Sequence, residues 1–181
     1  TQTPNEAVTT KSITEDSNGR GSRTLVDSIV IDSSFVNDNL NKFKKDDPDL
    51  RLVEVNHQPK RYDNGHIPGA IKIDWETEVS EKSGQDMFDR NAFESAMADH
   101  GITEDTTLVI YGDEGNWFAA HAFWVCRYFG HENVHMMEGG RRHWKQEGFE
   151  FTKVEPTVTS TTYTANEPNK ALKQYVIRSH P

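Results

Sequence analysis

Residues 112–116, Gly112, Asp113, Glu114, Gly115 and Asn116, join an apolar run at 106–111 to a second apolar stretch at 117–129. A strand that passes through a tight loop into a helix leaves free backbone N–H groups at the helix start, where an anion can bind. Asn116 is a good cap for such a helix and a candidate anion contact. Yet the loop contains no nucleophile, and two of its five residues are acids. A loop placed for chemistry on anions thus lacks a group to perform it.

The other residues able to do chemistry are few. Cys126 is the sole cysteine, ten residues beyond Asn116, or ~three turns into an apolar helix. Its bland reading is a buried thiol, because reactive cysteines occupy exposed, electropositive sites. His66 stands in the turn "GHIPGA" and reads as a turn residue with its ring satisfied. His131 and His135 are four apart but straddle a loop–strand junction, so a shared metal is not expected. Arg141 and Arg142 open a short helix and read as surface charges unless a neighbour supplies an anion. Trp117 follows the loop directly, while Trp124 and Trp144 read as packing residues.

Around these residues, strand and helix patterns alternate. "LVDSIVID" carries a short strand, and "SSFVNDNLNKFKK" a serine-capped helix with Val36, Leu40 and Phe43 on one face. Strands are expected at 50–55, 70–74, 106–111 and within "NVHMM". The run at 106–111 is apolar at nearly every position, as in a strand covered on both faces. A short helix over "QPKRYDNG" has Pro59 near its first turn, and "FEF" is a candidate edge. "DRNAFESAMADHG" reads as a helix capped by Asp89, with Phe93 and Met97 inward and Gly101 at its end. Gly139 and Gly140 supply a tight strand-to-helix turn. The alternation implies an α/β fold with a mostly parallel sheet and helices on both faces.

Composition narrows the remainder. The 181 residues carry a net charge of −9, with 34% apolar and 27% charged residues. No basic stripe exists to neutralise phosphates, which argues against nucleic acid as a partner. One cysteine permits no internal disulfide, and no apolar run is long enough to span a bilayer. A cytoplasmic location is the default expectation. Residues 1–24 are polar and read as a disordered tail. Residues 75–88 read as an irregular acidic connection, and the Thr- and Pro-rich stretch after Lys153 as a linker.

Three segments together resemble the rhodanese family: "NGHIPGAIKIDW" (64–75), residues 108–148, and the polar stretch that follows. More narrowly, they are similar to the N-terminal half of tandem-domain thiosulfate sulfurtransferases. The resemblance implies a three-layer fold over 25–153 with a five-stranded sheet. It also implies that 154–181 are a linker and the start of a second rhodanese domain. In the active members of the family a cysteine directly after the strand attacks the outer sulfur of thiosulfate, releases sulfite and carries a persulfide. Gly112 stands at that position here, so residues 112–117 resemble a degenerate active-site loop with no catalytic residue. No metal or cofactor is implied. The implied partner is a catalytic domain of the same polypeptide, with thiosulfate or sulfite in the cleft between domains and with Arg141, Arg142 and His66 as anion or interface contacts. Two other readings stay open: a stand-alone module that binds an anion or a protein, and an active sulfurtransferase that uses Cys126.

Overall fold

The computed structural model describes residues 28–56, 58, 60–74 and 89–172. The expected tail at 1–24, the acidic connection at 75–88 and Pro59 lie outside the described residues.

Five parallel strands form one sheet: β1 (Val30–Ile31), β2 (Leu50–Glu54), β3 (Ala70–Lys72), β4 (Thr107–Tyr111) and β5 (Val134–Met137). Their spatial order is β1-β5-β4-β2-β3, which places β4 at the centre. The helices are α1 (Ser33–Asp38), α2 (Leu40–Phe43), α3 (Lys60–Asp63), α4 (Arg90–Asp99), α5 (Trp117–Tyr128) and α6 (Gly140–Gln146).

Alternation along the strands divides the core into two layers. Val53, Leu108 and Ile110 face a cluster that holds Phe93, Met97 and Phe123, from α4 and α5. Leu50, Leu52, Val109 and Tyr111 face the opposite cluster, with Val36, Phe43, Tyr62 and Trp144 from α1, α2, α3 and α6. β4 contributes to both, which explains its nearly unbroken apolar run. Each fully buried side chain of this size contributes roughly 1.5–3 kcal/mol relative to exposure.

Local chemistry sets the element ends. The Asp89 carboxylate accepts from the N–H groups of Asn91 and Ala92, so α4 has the cap its sequence specifies. The helix expected over "SSFVNDNLNKFKK" is broken in two at Asn39, whose side-chain amide donates to the Phe35 carbonyl at 2.8 Å. A short amide that bonds the backbone competes with helical continuation. Its first cap is Asp32, without a side-chain hydrogen bond, and Ser33 lies inside the helix. The edge expected at "FEF" does not form; one antiparallel bridge between His66 and Thr152 lies just beyond it.

Residues 154–169 have no regular secondary structure, yet they lie on the domain. Tyr163 and Ala165 belong to the α4/α5 core layer. The composition expected of a linker here belongs to an ordered, extended segment.

Candidate functional site

The loop at 112–116 begins at the carboxyl end of the central strand. Glu114–Asn116 form a single 3-10 turn that leads into α5. Gly115 and Asn116 both have left-handed backbone, with φ of 69° and 66°. Asn is the side chain that tolerates this region best after glycine.

Three of the N–H groups that such a loop could offer an anion are already engaged. Gly112 N–H donates to Asn116 Oδ1 at 2.9 Å, and Asp113 N–H donates to Asn56 Oδ1 at 3.0 Å. Asn116 N–H donates to the Asp113 carbonyl at 2.9 Å. Asn116 does not cap α5 with its side chain, as the sequence suggested. Its carboxamide instead bridges two strand ends, accepting from Gly112 and donating to the Met137 carbonyl at 2.6 Å.

Gly112 is fixed by space. A Cβ there would overlap the carbonyl oxygen of Val55, with which β2 continues past its last residue. Gly140 completes the same junction. With φ of 58°, it lies so close that a Cβ would overlap the Gly112 carbonyl and the Asn116 carboxamide. That carbonyl accepts from Arg141 N–H at 2.8 Å, which ties the start of α6 to the loop.

Behind the loop lies a buried polar network that sequence reasoning missed. Glu54, the last residue of β2, is 1% exposed. Its carboxylate pairs with Arg141 Nη1 at 2.6 Å and accepts from the Tyr111 hydroxyl and the Asn56 amide. Burial raises the Glu54 carboxyl above its ordinary range, while Arg141, Tyr111 and Asn56 pull it back. Tyr111 is raised well above the usual phenol value by burial and by the Glu54 charge. A Glu within an expected strand was the available signal, because a charge buried in a sheet requires a partner.

Arg141 is therefore not the surface charge its sequence suggested. It is mostly buried, and its guanidinium also lies over the Phe151 ring at 5.1 Å. Arg142 is exposed. Asp113, an acid of the loop, is buried as well. It is 4% exposed, and Arg61 Nη1 approaches its Oδ2 at 2.9 Å without hydrogen-bonding geometry at either carboxylate oxygen. The close, buried approach counts as an ion contact because opposite charges this near attract whatever their angle.

Cys126 is fully buried in the α4/α5 core layer, and burial pushes its thiol up to about 12. At neutral pH it is a protonated, inaccessible thiol. His66 is also fully buried, stacked on Tyr62 at 3.7 Å, with its ring nitrogens 3.0 Å from the carbonyls of Tyr62 and Val154. His131 and His135 do not share a site. His131 contacts Tyr163 and Thr106, whereas His135 contacts the Ser28 carbonyl. Among the described residues, no group of three or more His, Cys, Asp or Glu could hold a metal ion. None of the described helices is long and apolar enough to cross a membrane.

Beside the loop, an open groove of about 400 Å³ runs between Val30, Trp117, Ala120 and Met136. Trp117 is 44% exposed at its rim.

A family model described as a rhodanese-like domain matches residues 36–147. A Haloferax volcanii protein named "Putative thiosulfate sulfurtransferase" is 39% identical over 147 residues, 81% of this chain and 51% of that protein. Sulfur carrier protein TtuD of Thermus thermophilus is 36% identical over 147 residues, 81% of this chain and 50% of its own length. The chain thus spans about half the length of the curated relatives it matches. The crystal structure of SseA from Escherichia coli, a 3-mercaptopyruvate sulfotransferase, superposes with a TM-score of 0.68 at 22% identity. That match covers 77% of this chain and 57% of SseA, a likeness of fold.

Proposed function

The chain belongs to the rhodanese family, and from that premise we propose that it is a non-catalytic rhodanese domain, the N-terminal half of a tandem thiosulfate sulfurtransferase. Its role is structural and regulatory. It packs against a catalytic domain of the same polypeptide and helps to form the cleft in which thiosulfate or sulfite is held.

The observation that carries this reading is the junction at Gly112. The resemblance calls for a cysteine directly after β4, and the Val55 carbonyl leaves no room for any side chain there. Two further features support it. The sole cysteine is fully buried with its thiol pushed up to about 12, far from the thiolate that sulfur transfer needs. The N–H groups of Gly112 and Asp113, which could stabilise a persulfide anion, are spent on Asn116 and Asn56. The buried Asp113 carboxylate adds negative charge where an anion would have to sit.

The test is direct. The chain is incubated with thiosulfate and cyanide, and thiocyanate is measured; intact mass after thiosulfate alone reports any added sulfur. Neither product is expected, and Cys126→Ser is expected to behave like the parent. Cysteine-dependent turnover, or a persulfide on Cys126, overturns the proposal.

A further inference from the structure

The ordered segment after Lys153 is unexplained by sulfur chemistry. From Val154 to Asn169 it makes no sheet and no helix, yet it is held along its length. Thr159 donates twice to Asp46 Oδ2, from its N–H at 3.0 Å and its hydroxyl at 2.7 Å. Asp46 is itself held by Arg51, a buried residue of β2, at 2.7 Å. Thr161 donates from its N–H to the Ala98 carbonyl at 2.9 Å and from its hydroxyl to the Ile102 carbonyl at 2.6 Å. The N–H groups of Thr164 and Ala165 reach Glu104 at 2.6 Å and Glu94 at 2.8 Å.

The centre of the segment is a buried latch. The Tyr163 hydroxyl lies 2.9 Å from His131 Nδ1, and His131 Nε2 lies 2.9 Å from the Thr106 carbonyl. A carbonyl only accepts, so Nε2 carries the hydrogen. The neutral ring then accepts from the Tyr163 hydroxyl through Nδ1. The Thr106 hydroxyl continues the chain to the Pro48 carbonyl at 2.5 Å. The Tyr163 ring meets Phe93 edge-on at 5.6 Å, inside the α4/α5 layer.

The segment ends by serving α5. The last carbonyls of a helix lack intrahelical donors. Here Asn166 N–H donates to the Phe129 carbonyl at 3.1 Å, and Asn169 N–H to the Tyr128 carbonyl at 2.8 Å. The segment therefore supplies the C-terminal cap of α5, whose first residues follow the degenerate loop.

We infer that residues 154–169 are a built-in strap, latched by the Tyr163–His131 hydrogen bond, that fixes the departure point of any following chain at the carboxyl end of α5. A helix of 12 residues is about 18 Å long, so that point lies roughly 18 Å from the loop at 112–116. Whatever follows Asn169 is mounted on the domain rather than tethered to it. This inference stands whether or not the domain takes part in sulfur transfer.

Amide hydrogen exchange on the intact chain, read by mass spectrometry, tests it. The strap amides of Thr159, Thr161, Thr164, Ala165, Asn166 and Asn169 are expected to be protected as strongly as those of β4. Tyr163→Phe keeps the ring and removes only the latch. It should speed exchange across 161–169 by about tenfold, the usual worth of one hydrogen bond. If that variant proves globally unstable, Thr161→Val removes the Ile102 bond and should open the same segment. Exchange of the parent strap at the rate of an unstructured peptide overturns the inference. So does a strap whose protection both substitutions leave intact.

Discussion

The two ends of α5 are both irregular chain, and they are held in opposite ways. At the amino end, the loop at 112–116 is tight, and side chains from elsewhere reach in to satisfy its backbone: Asn56 takes the N–H of Asp113, and Glu54 holds Arg141, whose own N–H grips the Gly112 carbonyl. At the carboxyl end, the strap is extended, and its own N–H groups reach out to the carbonyls and carboxylates of the domain. The first arrangement consumes the N–H groups of Gly112, Asp113 and Asn116, which could otherwise face an anion. The second uses donors that no strand needs. Absence of regular secondary structure therefore means closure at one end and anchorage at the other.

The largest expected effect breaks the amino end. Arg141→Met leaves Glu54 buried and uncompensated, which should cost about 3–5 kcal/mol in urea denaturation. Adding Glu54→Gln should recover part of that loss. A parent-like Arg141→Met would mean that the loop is not held through this pair.

The carboxyl end is expected to respond to acid. Burial lowers His131 from 6.5 to about 4, against the opposing effects of the Thr106 and Asn133 backbone and of Glu104 and Asp105. The unfolded chain thus takes a proton near pH 6.5 that the folded chain resists until about pH 4. Stability falls as pH falls across that window, by about 3 kcal/mol for His131. His135, also lowered by burial, acts in the same sense. Glu54 acts in the opposite sense, since its raised carboxyl favours the folded state as pH falls. Comparing denaturation midpoints of the parent and His131→Gln isolates the contribution of His131. The variant should show a flatter acid limb, and equal slopes would remove the latch from the acid response.

The smallest effect sharpens the amino end. Gly112→Cys restores the sulfur that the family resemblance calls for, but its Cβ must displace the Val55 carbonyl. A loss of about 2 kcal/mol is expected, with no thiocyanate formed from thiosulfate and cyanide. Sulfur transfer by this variant would mean that only the missing atom, not the closed loop, silences the site.

Much of this was legible before the structure. The alternation of apolar runs placed all five strands, and Asp89 announced the cap of α4 because its partners are two and three residues away. Cys126 was legible as a buried thiol from the apolar helix around it. Less was legible where a residue's meaning depends on a distant partner. Arg141 looked like a surface charge, since the carboxylate it pairs with, Glu54, lies 87 residues earlier. Nothing in the sequence marked Asp113 as buried, for the same reason: its partner Arg61 lies far from it along the chain. The threonines after Lys153 looked like linker because their partners, Asp46 and the end of α4, leave no periodic mark.

By itself, the order of residues determined the layers of the sheet, the strand that carries the loop and the lack of sulfur after it. These depend on local period and on one residue type at one position, both of which travel with the chain. Tertiary structure alone decided that the loop is shut, that a charge is buried beneath it, and that the segment after the domain is bound to it. Each of those depends on hydrogen-bonding groups far apart in sequence that meet only after the sheet has formed, when a buried donor or acceptor must find a partner or weaken the fold.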